Sequence, residues 1–293
     1  MILLDGKQVA DKIIDNLKLK TFERKNKGQK LPHLAAILVG ADGASQTYVA
    51  NKVKTCEAIG FTSTLVRLSA ETQEFELLQK IDEINKNLLI DGLIVQLPLP
   101  KHINQQKIIE AIDPAKDVDG FHPINVGRLV QGLPTFISAT PYGIMLMLKH
   151  YNINTAGKHA VIIGRSNIVG RPMSILLSQN IAQANCTVTL CHSGTTNMQA
   201  ICSQADIIVA ALGTPGFVTA SMVKPGAIVI DVGITRQIDT SKKNGYALKG
   251  DVDFEAVKNI ASAITPVPGG VGLTTIAGLM ANTFLACQRR NDD

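Results

Sequence analysis

The sequence predicts an α/β protein with two domains, each built around a parallel sheet. Strand-like runs alternate with helix-like runs almost throughout, an order that gives right-handed crossovers and parallel strands. The strand-like runs are continuously aliphatic, which is typical of strands covered by helices on both faces. Aromatic residues make up only 4% of the chain. A chain of 293 residues has enough material for two cores.

The first series of elements ends in a polar loop. Gly60 is well placed to end a helix as its C-cap, the Pro-rich run 97–100 breaks the chain, and the loop follows at 113–120. The predicted elements are a helix over 9–27, a strand over 33–40, a helix over 46–59, a strand over 64–68, a helix over 74–87, a strand over 92–96 and a helix over 105–112.

The second series begins after Thr140-Pro141. We therefore predict one domain over 1–139 and another over 140–273, with the last helix free to join either of them. The predicted elements are a helix over 142–151, a strand over 159–164, a helix over 169–179, strands over 187–191, 205–212 and 227–232, and the last helix over 274–290.

Composition argues against several functional classes. The net charge of +5 is modest, and the basic stretches lack the interleaved aromatic residues of a nucleic-acid surface. The five cysteines show no CxxC pair or zinc-like spacing, so we expect reduced thiols, no metal and a cytoplasmic protein. No signal or transit peptide is recognisable, and no uncharged apolar stretch of membrane-spanning length is expected.

A glycine turn follows the strand over 159–164. Gly164 ends the strand, Arg165 and Ser166 form the turn, and a helix opens near Gly170. Such a turn brings backbone N–H groups and a helix N-terminus to a pyrophosphate, which predicts a Rossmann-like dinucleotide site. The spacing departs from GxGxxG, because Ser166 stands at the second glycine. A plain strand–helix turn is the alternative.

The next strand favours NADP over NAD. An NAD site usually has an acidic residue at the end of the second strand, whereas this strand runs into His192 and Ser193. Arg165 and Ser193 suit a 2′-phosphate. The alternative is a polar loop with an exposed histidine.

Polar residues in the first domain fall beyond the carboxyl ends of strands, where ligands gather in open α/β sheets. Ser45, Tyr48 and Lys52 follow one strand, with Tyr48 and Lys52 four residues apart on a helix face. Gln96 ends another strand, and Asp119 lies in the polar loop together with Asp117. Each feature alone also fits a surface pair or a turn. Their shared location favours a site in which Lys52 transfers protons.

A Pro- and Gly-rich stretch, 265–272, stands directly before the last helix. Two prolines and three glycines favour a loop that closely approaches its neighbours. It is expected either to wall a cleft between the domains or to act as a stiff linker.

These motifs resemble one family, the bifunctional methylenetetrahydrofolate dehydrogenase/methenyltetrahydrofolate cyclohydrolases of the FolD type. They occur in the family's order over nearly the whole chain. They are Ala44-Ser45-Gln46-Thr47-Tyr48-Val49-Ala50-Asn51-Lys52, Gly92 through Pro100, Lys116-Asp117-Val118-Asp119-Gly120-Phe121-His122-Pro123, Gly164-Arg165-Ser166 through Pro172, and Pro266 through Gly272.

The resemblance implies oxidation of 5,10-methylenetetrahydrofolate with NADP and hydrolysis of the product to 10-formyltetrahydrofolate, within one-carbon metabolism and purine biosynthesis. It implies two domains that flank a cleft, helix 274–293 packing on the first domain, and a homodimer built through the nucleotide domains. It assigns catalysis to Lys52, Tyr48, Gln96 and Asp119, further folate contacts to Ser45, Leu97, Pro98, Pro268 and Gly269, and cofactor contacts to Gly164, Arg165, Ser166, Ser193 and Ile234.

The chain departs from the family pattern at three places. Ser138-Ala139 replaces a common Pro-Cys, Leu273 replaces a proline after the glycine loop, and Gly43 replaces a proline ahead of Ser45. The loss of the proline at Leu273 removes a fixed φ at a helix start.

Two alternatives remain open from the residues. Tyr48 and Lys52 have the YxxxK spacing of short-chain dehydrogenases, but in that class the tyrosine follows the glycine turn, whereas Tyr48 precedes Gly164. A catalytically silent NADP-binding sensor is the other alternative. The presence of Lys52, Gln96 and Asp119 argues against it.

Overall fold

The computed structural model describes residues 1–242 and 245–292, and the chain forms two compact units. Unit 1 comprises Met1–Ala10 and Thr140–Thr275. Unit 2 comprises Asp11–Ala139 and Ile276–Asp293. The predicted first domain began at residue 1, whereas the first ten residues belong to the unit that contains the second strand series.

The secondary structure follows the predicted alternation and adds short elements to it. The strands are β1 (Ile2–Leu3), β2 (His33–Val39), β3 (Thr62–Leu68), β4 (Gly92–Val95), β5 (His159–Ile163), β6 (Thr187–Cys191), β7 (Ile207–Ala210), β8 (Ile228–Asp231), β9 (Thr235–Ile238), β10 (Tyr246–Lys249) and β11 (Ala263–Ile264). The α-helices are α1 (Gly6–Asn26), α2 (Gly43–Ile59), α3 (Glu74–Lys86), α4 (Gln105–Ala111), α5 (Pro123–Val130), α6 (Ala139–His150), α7 (Gly170–Ser178), α8 (Met198–Cys202), α9 (Phe254–Val257) and α10 (Val271–Asn291).

Unit 2 contains a parallel sheet in the order β3-β2-β4. Alternate residues of β2 enter two different cores, because successive side chains of a strand point to opposite faces. Leu34 and Leu38 join a cluster with residues of α1, α2 and α10. Ile37 joins a second cluster with residues of α3 and α4. Both faces are therefore covered, and this explains the continuous aliphatic run in β2.

Unit 1 contains a parallel sheet in the order β1-β11-β8-β7-β5-β6, and β9 and β10 form a separate antiparallel hairpin. The chain runs from β5 to β6 on one side and then to β7 on the other side. The ends of β5 and β7 therefore flank a topological switch point, where open α/β sheets bind ligands. β1 pairs with β11 through Ile2 and Ala263, and this pairing places the start of the chain in unit 1.

Helix α10 is long and apolar enough to cross a membrane by length and composition, which the sequence analysis did not expect. In its most apolar window 61% of the residues are buried inside the protein. Leu279, Met280 and Phe284 belong to the core of unit 2. The apolar character of α10 therefore serves packing within the fold. The helix ends at Asn291, and the predicted end at residue 293 lies outside the described residues.

Candidate active site

The start of α2 presents the first group of predicted site residues. Asp42 caps this helix, accepting a hydrogen bond from the backbone N–H of Ser45 at 2.7 Å. Ser45 is buried, whereas Tyr48 is 38% exposed one turn before Lys52. Gly43 is the first residue of the helix. The Asp42 cap ties down the backbone here without the family's proline.

Lys52 and Gln96 come together at the carboxyl end of β4. Lys52 Nζ donates to Gln96 Oε1 at 3.2 Å, and Gln96 Nε2 donates to the carbonyl of Leu97 at 2.7 Å. The second bond fixes the orientation of the amide, so its oxygen faces the ammonium group. Lys52 is 9% exposed. Its stem is thus packed away while its ammonium group is held beside a neutral acceptor. Leu97 is partly exposed and Pro98 is exposed beyond it.

Asp119 lies beside this lysine. The pKa of the Asp119 carboxyl is raised, chiefly because the surrounding protein excludes water from it, while the positive charge of Lys52 acts in the opposite direction. No hydrogen bond to the Asp119 side chain occurs in the described part of the chain, so its oxygens remain available to a ligand with N–H donors.

The loop that carries Asp119 is held by two residues that the sequence analysis did not single out for this task. The ammonium group of Lys116 donates to the carbonyls of Ile84, Asn85 and Asn87, each at 2.7 Å. These carbonyls surround the C-terminal end of α3, a helix end that attracts cations. The predicted polar loop is therefore anchored inside the unit, with Lys116 completely buried.

Asp117 completes this anchor. Its carboxylate accepts from the backbone N–H groups of Phe121 and His122 and from the Asn125 amide, at 3.2, 2.8 and 2.8 Å. Burial raises the pKa of Asp117, and these hydrogen bonds act in the opposite direction. Asp117 thus fixes the loop, whereas Asp119 two residues later is left for other contacts.

In unit 1 the glycine turn after β5 fits a closely packed strand–turn–helix. Gly164 has a φ of +118°, and a Cβ on it would lie 2.2 Å from the carbonyl oxygen of Ala211. A Cβ on Gly170 would lie 1.9 Å from the carbonyl oxygen of Gly164. Both glycines are thus required by close backbone approach, as in a dinucleotide-binding turn. Gly170 stands one residue later than the third glycine of GxGxxG, and it still packs closely against Gly164.

Ser166, Arg165 and Ser193 are exposed at the end of the sheet. Ser166 Oγ accepts from the N–H groups of Val169 and Gly170, at 3.1 and 3.4 Å, at the start of α7. β5 and β6 are paired with Ile163 opposite Cys191. Arg165 comes two residues after Ile163, and Ser193 comes two residues after Cys191. The turns that carry Arg165 and Ser193 are therefore neighbours.

The remaining predicted contacts also lie in unit 1. Ile234 is exposed after β8, and a Cβ on Gly272 would lie 3.1 Å from its side chain. Pro268 is exposed and Gly269 partly exposed in the loop before α10. The N–H of Gly6 donates to the carbonyl of Gly269 at 2.9 Å, so the start of α1 fixes this loop within the unit.

These features define a class of protein: an α/β enzyme with a dinucleotide-type unit and a separate unit in which a lysine, an amide and a carboxylate converge. Sequence comparison identifies the family. Residues 4–119 match the model of the tetrahydrofolate dehydrogenase/cyclohydrolase catalytic domain. Residues 138–291 match that of the tetrahydrofolate dehydrogenase/cyclohydrolase NAD(P)-binding domain. The chain belongs to this family.

Individual relatives resemble the chain over nearly its full length. The bifunctional protein FolD of Porphyromonas gingivalis is 57% identical, covering 97% of this chain and 96% of the relative. The FolD crystal structure from Campylobacter jejuni has a TM-score of 0.93 at 47% identity and covers 99% of each chain. The Trypanosoma brucei FolD structure, complexed with NADP cofactor and inhibitor, has a TM-score of 0.93 at 36% identity and covers 99% of this chain and 98% of that one.

The resemblance inferred from the motifs is thereby confirmed, as are the two-domain α/β fold and the Rossmann-like parallel sheet. The protein is a bifunctional enzyme of one-carbon metabolism. It oxidises 5,10-methylenetetrahydrofolate to the methenyl form and hydrolyses that form to 10-formyltetrahydrofolate. The alternatives of a short-chain dehydrogenase and a silent sensor are wrong.

Proposed function

We propose that Lys52 is the acid–base residue of the cyclohydrolase step and that Asp119 holds the folate ring. The observation that carries this proposal is the Lys52–Gln96 contact, in which the amide orientation is fixed by Leu97. Addition of water to the methenyl carbon requires a proton to leave the water and another to reach the departing ring nitrogen. A positioned ammonium group that exchanges protons serves such a step.

The other residues of unit 2 have binding roles in this proposal. The two oxygens of Asp119 accept from paired N–H donors of the pterin ring. The exposed ring of Tyr48 packs on the folate, and Gln96 orients Lys52. Ser45, Leu97 and Pro98 are proposed as further folate contacts. We propose that unit 2 carries the folate chemistry and unit 1 binds the nucleotide, in place of the predicted division into 1–139 with the last helix and 140–273.

The nucleotide unit is proposed to bind NADP in preference to NAD. The close approach of Gly164 and Gly170 fits a pyrophosphate turn. The exposed Arg165 and Ser193 follow neighbouring strands where a 2′-phosphate needs donors. Ser166 and Ile234 are proposed as further contacts. When bound, NADP accepts the hydride of the dehydrogenase reaction. The relative from Trypanosoma brucei, which is complexed with NADP, supports this choice.

The proposal includes a cytoplasmic homodimer assembled through the nucleotide domains. All five cysteines are unpaired and buried, as expected in a reducing compartment. The oligomeric state is measured by sedimentation equilibrium, and a monomer at working concentration would contradict this part.

The central experiment compares Lys52→Met with the wild type in both activities. The wild-type enzyme is first assayed with 5,10-methylenetetrahydrofolate and either NADP or NAD. For Lys52→Met we expect cyclohydrolase turnover to fall by about a hundredfold or more, because a positioned acid–base group contributes on that scale. The Kd for NADP, measured by calorimetry, should stay within about twofold, since Lys52 is in the other unit. Retention of most cyclohydrolase turnover would remove Lys52 from the mechanism.

A further inference from the structure

Unit 1 holds two buried carboxylates for which the proposed function gives no role. Asp231 ends β8, and Asp251 follows Gly250 directly after the β9–β10 hairpin. Asp231 is 3% exposed and Asp251 is fully buried. Buried carboxylates are costly unless hydrogen bonds compensate for the lost water, so their partners indicate what they do.

The carboxylate of Asp231, at the end of β8, holds the segment at 250–252 by hydrogen bonds. Its Oδ1 accepts from the backbone N–H groups of Gly233 and Asp251, and its Oδ2 accepts from Val252, each at 2.9 Å. Both oxygens therefore receive donors. Burial nevertheless raises the pKa of Asp231 to about 6, against the effect of these three hydrogen bonds.

Asp251 fastens a different segment, the turn directly after β7. Its Oδ2 accepts from the N–H groups of Leu212 and Gly213, at 2.6 and 2.9 Å. Its Oδ1 is buried and accepts no hydrogen bond within the described residues. This second oxygen faces the backbone of Gly233, because a Cβ on that glycine would lie 2.3 Å from it.

The two aspartates and two glycines form a reciprocal arrangement. The Asp251 carboxylate occupies the space that a side chain on Gly233 would need, and the Asp231 carboxylate lies where a Cβ on Gly250 would fall, 1.9 Å from Oδ2. Neither glycine has a positive φ, so the backbone conformation does not require glycine at these two positions. The space taken by the carboxylates does. We call these four residues, Asp231, Gly233, Gly250 and Asp251, the aspartate clasp.

The clasp fixes two segments at the edge of the proposed cofactor site. Leu212 and Gly213 follow β7 at the switch point, where the carbonyl of Ala211 is in close contact with Gly164. Gly233 directly precedes Ile234. One carboxylate, that of Asp251, contacts both segments, and Asp231 holds Asp251 through its backbone N–H. A shift of either aspartate would therefore move both edges of the site.

We propose that Asp231 and Asp251 are positioning residues for NADP: they hold the turn after β7 and the segment before Ile234 in the conformation that the dinucleotide needs. This inference rests on the NADP site proposed above. Within the described residues, the hydrogen bonds of the two carboxylates go to Leu212, Gly213, Gly233, Asp251 and Val252, and none of these residues is a proposed folate contact. Loss of the carboxylates is therefore expected to affect the dehydrogenase through its affinity for NADP and to leave the cyclohydrolase in place.

The hydrogen bonds of Asp231 and Asp251 predict that replacing each aspartate with asparagine changes the KM for NADP by a different factor. In Asp231→Asn the amide NH₂ must face a backbone donor, because both carboxylate oxygens accept. We expect the KM for NADP to rise about tenfold or more. In Asp251→Asn one oxygen still accepts from Leu212 and Gly213, so the rise should stay below about threefold. Asp251→Ala loses both bonds and should resemble Asp231→Asn.

Three measurements test the inference: the dehydrogenase KM for NADP, the cyclohydrolase rate without NADP, and Tm. Asp253→Asn is the matched control, since this exposed carboxylate lies in the same segment, caps α9 and, within the described residues, accepts no hydrogen bond from residues 212–213 or 233. Its KM for NADP should equal that of the wild type. If Asp231→Asn does not fold, the comparison of Asp251→Ala with Asp251→Asn decides by the same measurements.

An unchanged KM for NADP in both Asp231→Asn and Asp251→Ala would overturn the inference. A parallel loss of both activities with a large drop in Tm would also overturn it, because the clasp would then support only the fold. Failure of the underlying cofactor proposal looks different: the wild-type enzyme itself would show no preference for NADP.

Discussion

Two lysines in unit 2 are buried in different ways. Lys116 is completely buried, and its ammonium group donates to three backbone carbonyls. Lys52 is 9% exposed, and within the described residues its ammonium group donates to one amide oxygen, that of Gln96. An ammonium group has three donors. Those of Lys116 are all engaged by the fold, whereas Lys52 retains donors for a substrate.

The neighbouring carboxylates repeat this difference. Asp117 accepts three hydrogen bonds from the backbone and from Asn125, whereas Asp119 accepts none within the described residues. The residues of the frame, Lys116 and Asp117, thus have satisfied side chains, and the residues of the site, Lys52 and Asp119, have spare capacity. In unit 2, hydrogen bonds already made within the protein, more than burial or charge, thus distinguish Lys116 and Asp117 from the two ionisable residues that we propose act in the site.

The largest effect expected from this comparison is on folding, and it concerns Lys116→Met. The change removes three hydrogen bonds of a charged donor. The carbonyls of Ile84 and Asn87 still accept from the N–H groups of Asn87 and Ile90, whereas that of Asn85 is left without a donor within the described residues. The free energy of unfolding should fall by about 3 kcal/mol or more. Lys52→Met should cost less than about 1 kcal/mol, because it leaves one amide that water can reach. Urea unfolding of both variants measures the two values. Equal stability losses would break the proposed separation of frame and site.

The next effect compares Asp119→Asn with Asp117→Asn. Asn offers one acceptor oxygen in place of two. Asp119→Asn should therefore lower kcat/KM for the folate by a factor that corresponds to a loss of about 1.5 to 3 kcal/mol in binding free energy, while Tm stays almost unchanged. Asp117→Asn should instead lower Tm, because its amide NH₂ would meet an existing donor. Steady-state kinetics and thermal unfolding of both variants are required. A variant of Asp119 that melts early but has normal folate kinetics would make this residue structural.

Long elements of the fold were predictable because their periodicity and aliphatic runs extend over many residues. The predicted strand over 187–191 coincides with β6, and most other predicted bounds differ by one to three residues from those observed. The missed elements are short and include the helices α5, α8 and α9. β1 and β11 contain two residues each and exist through their pairing, and the hairpin of β9 and β10 is largely exposed, so its strands lack the buried aliphatic pattern.

The proposed site was predictable in part. Tyr48 and Lys52 share a helix face by spacing alone, but the contact of Lys52 with Gln96 requires the pairing of β2 with β4. Local sequence does not reveal that Lys116 reaches the end of α3, about thirty residues earlier in the chain. The same is true of Asp231 and Asp251, which meet only in the folded unit. A charged residue in a polar motif gives no local signal of burial.

The smallest effect extends the comparison to the glycine turn of unit 1. The hydroxyl of Ser166 already accepts from the start of α7, whereas Arg165 and Ser193 are exposed and have no side-chain partner within the described residues. By the same reasoning, Ser166 supports the turn and the other two are free to bind a 2′-phosphate. Arg165→Ala with Ser193→Ala should lower the preference for NADP over NAD about tenfold, as expected for loss of charge-assisted hydrogen bonds. Ser166→Ala should weaken the binding of both cofactors to a similar extent.

Arg171→Ala is the matched control, because this exposed arginine donates to Asn167 and should leave the preference for NADP unchanged. The ratio of kcat/KM for the two cofactors measures the preference. A similar loss for NADP and NAD in the double variant would show that these side chains do not recognise the phosphate, and spare hydrogen-bonding capacity would then be a poor guide to function in unit 1.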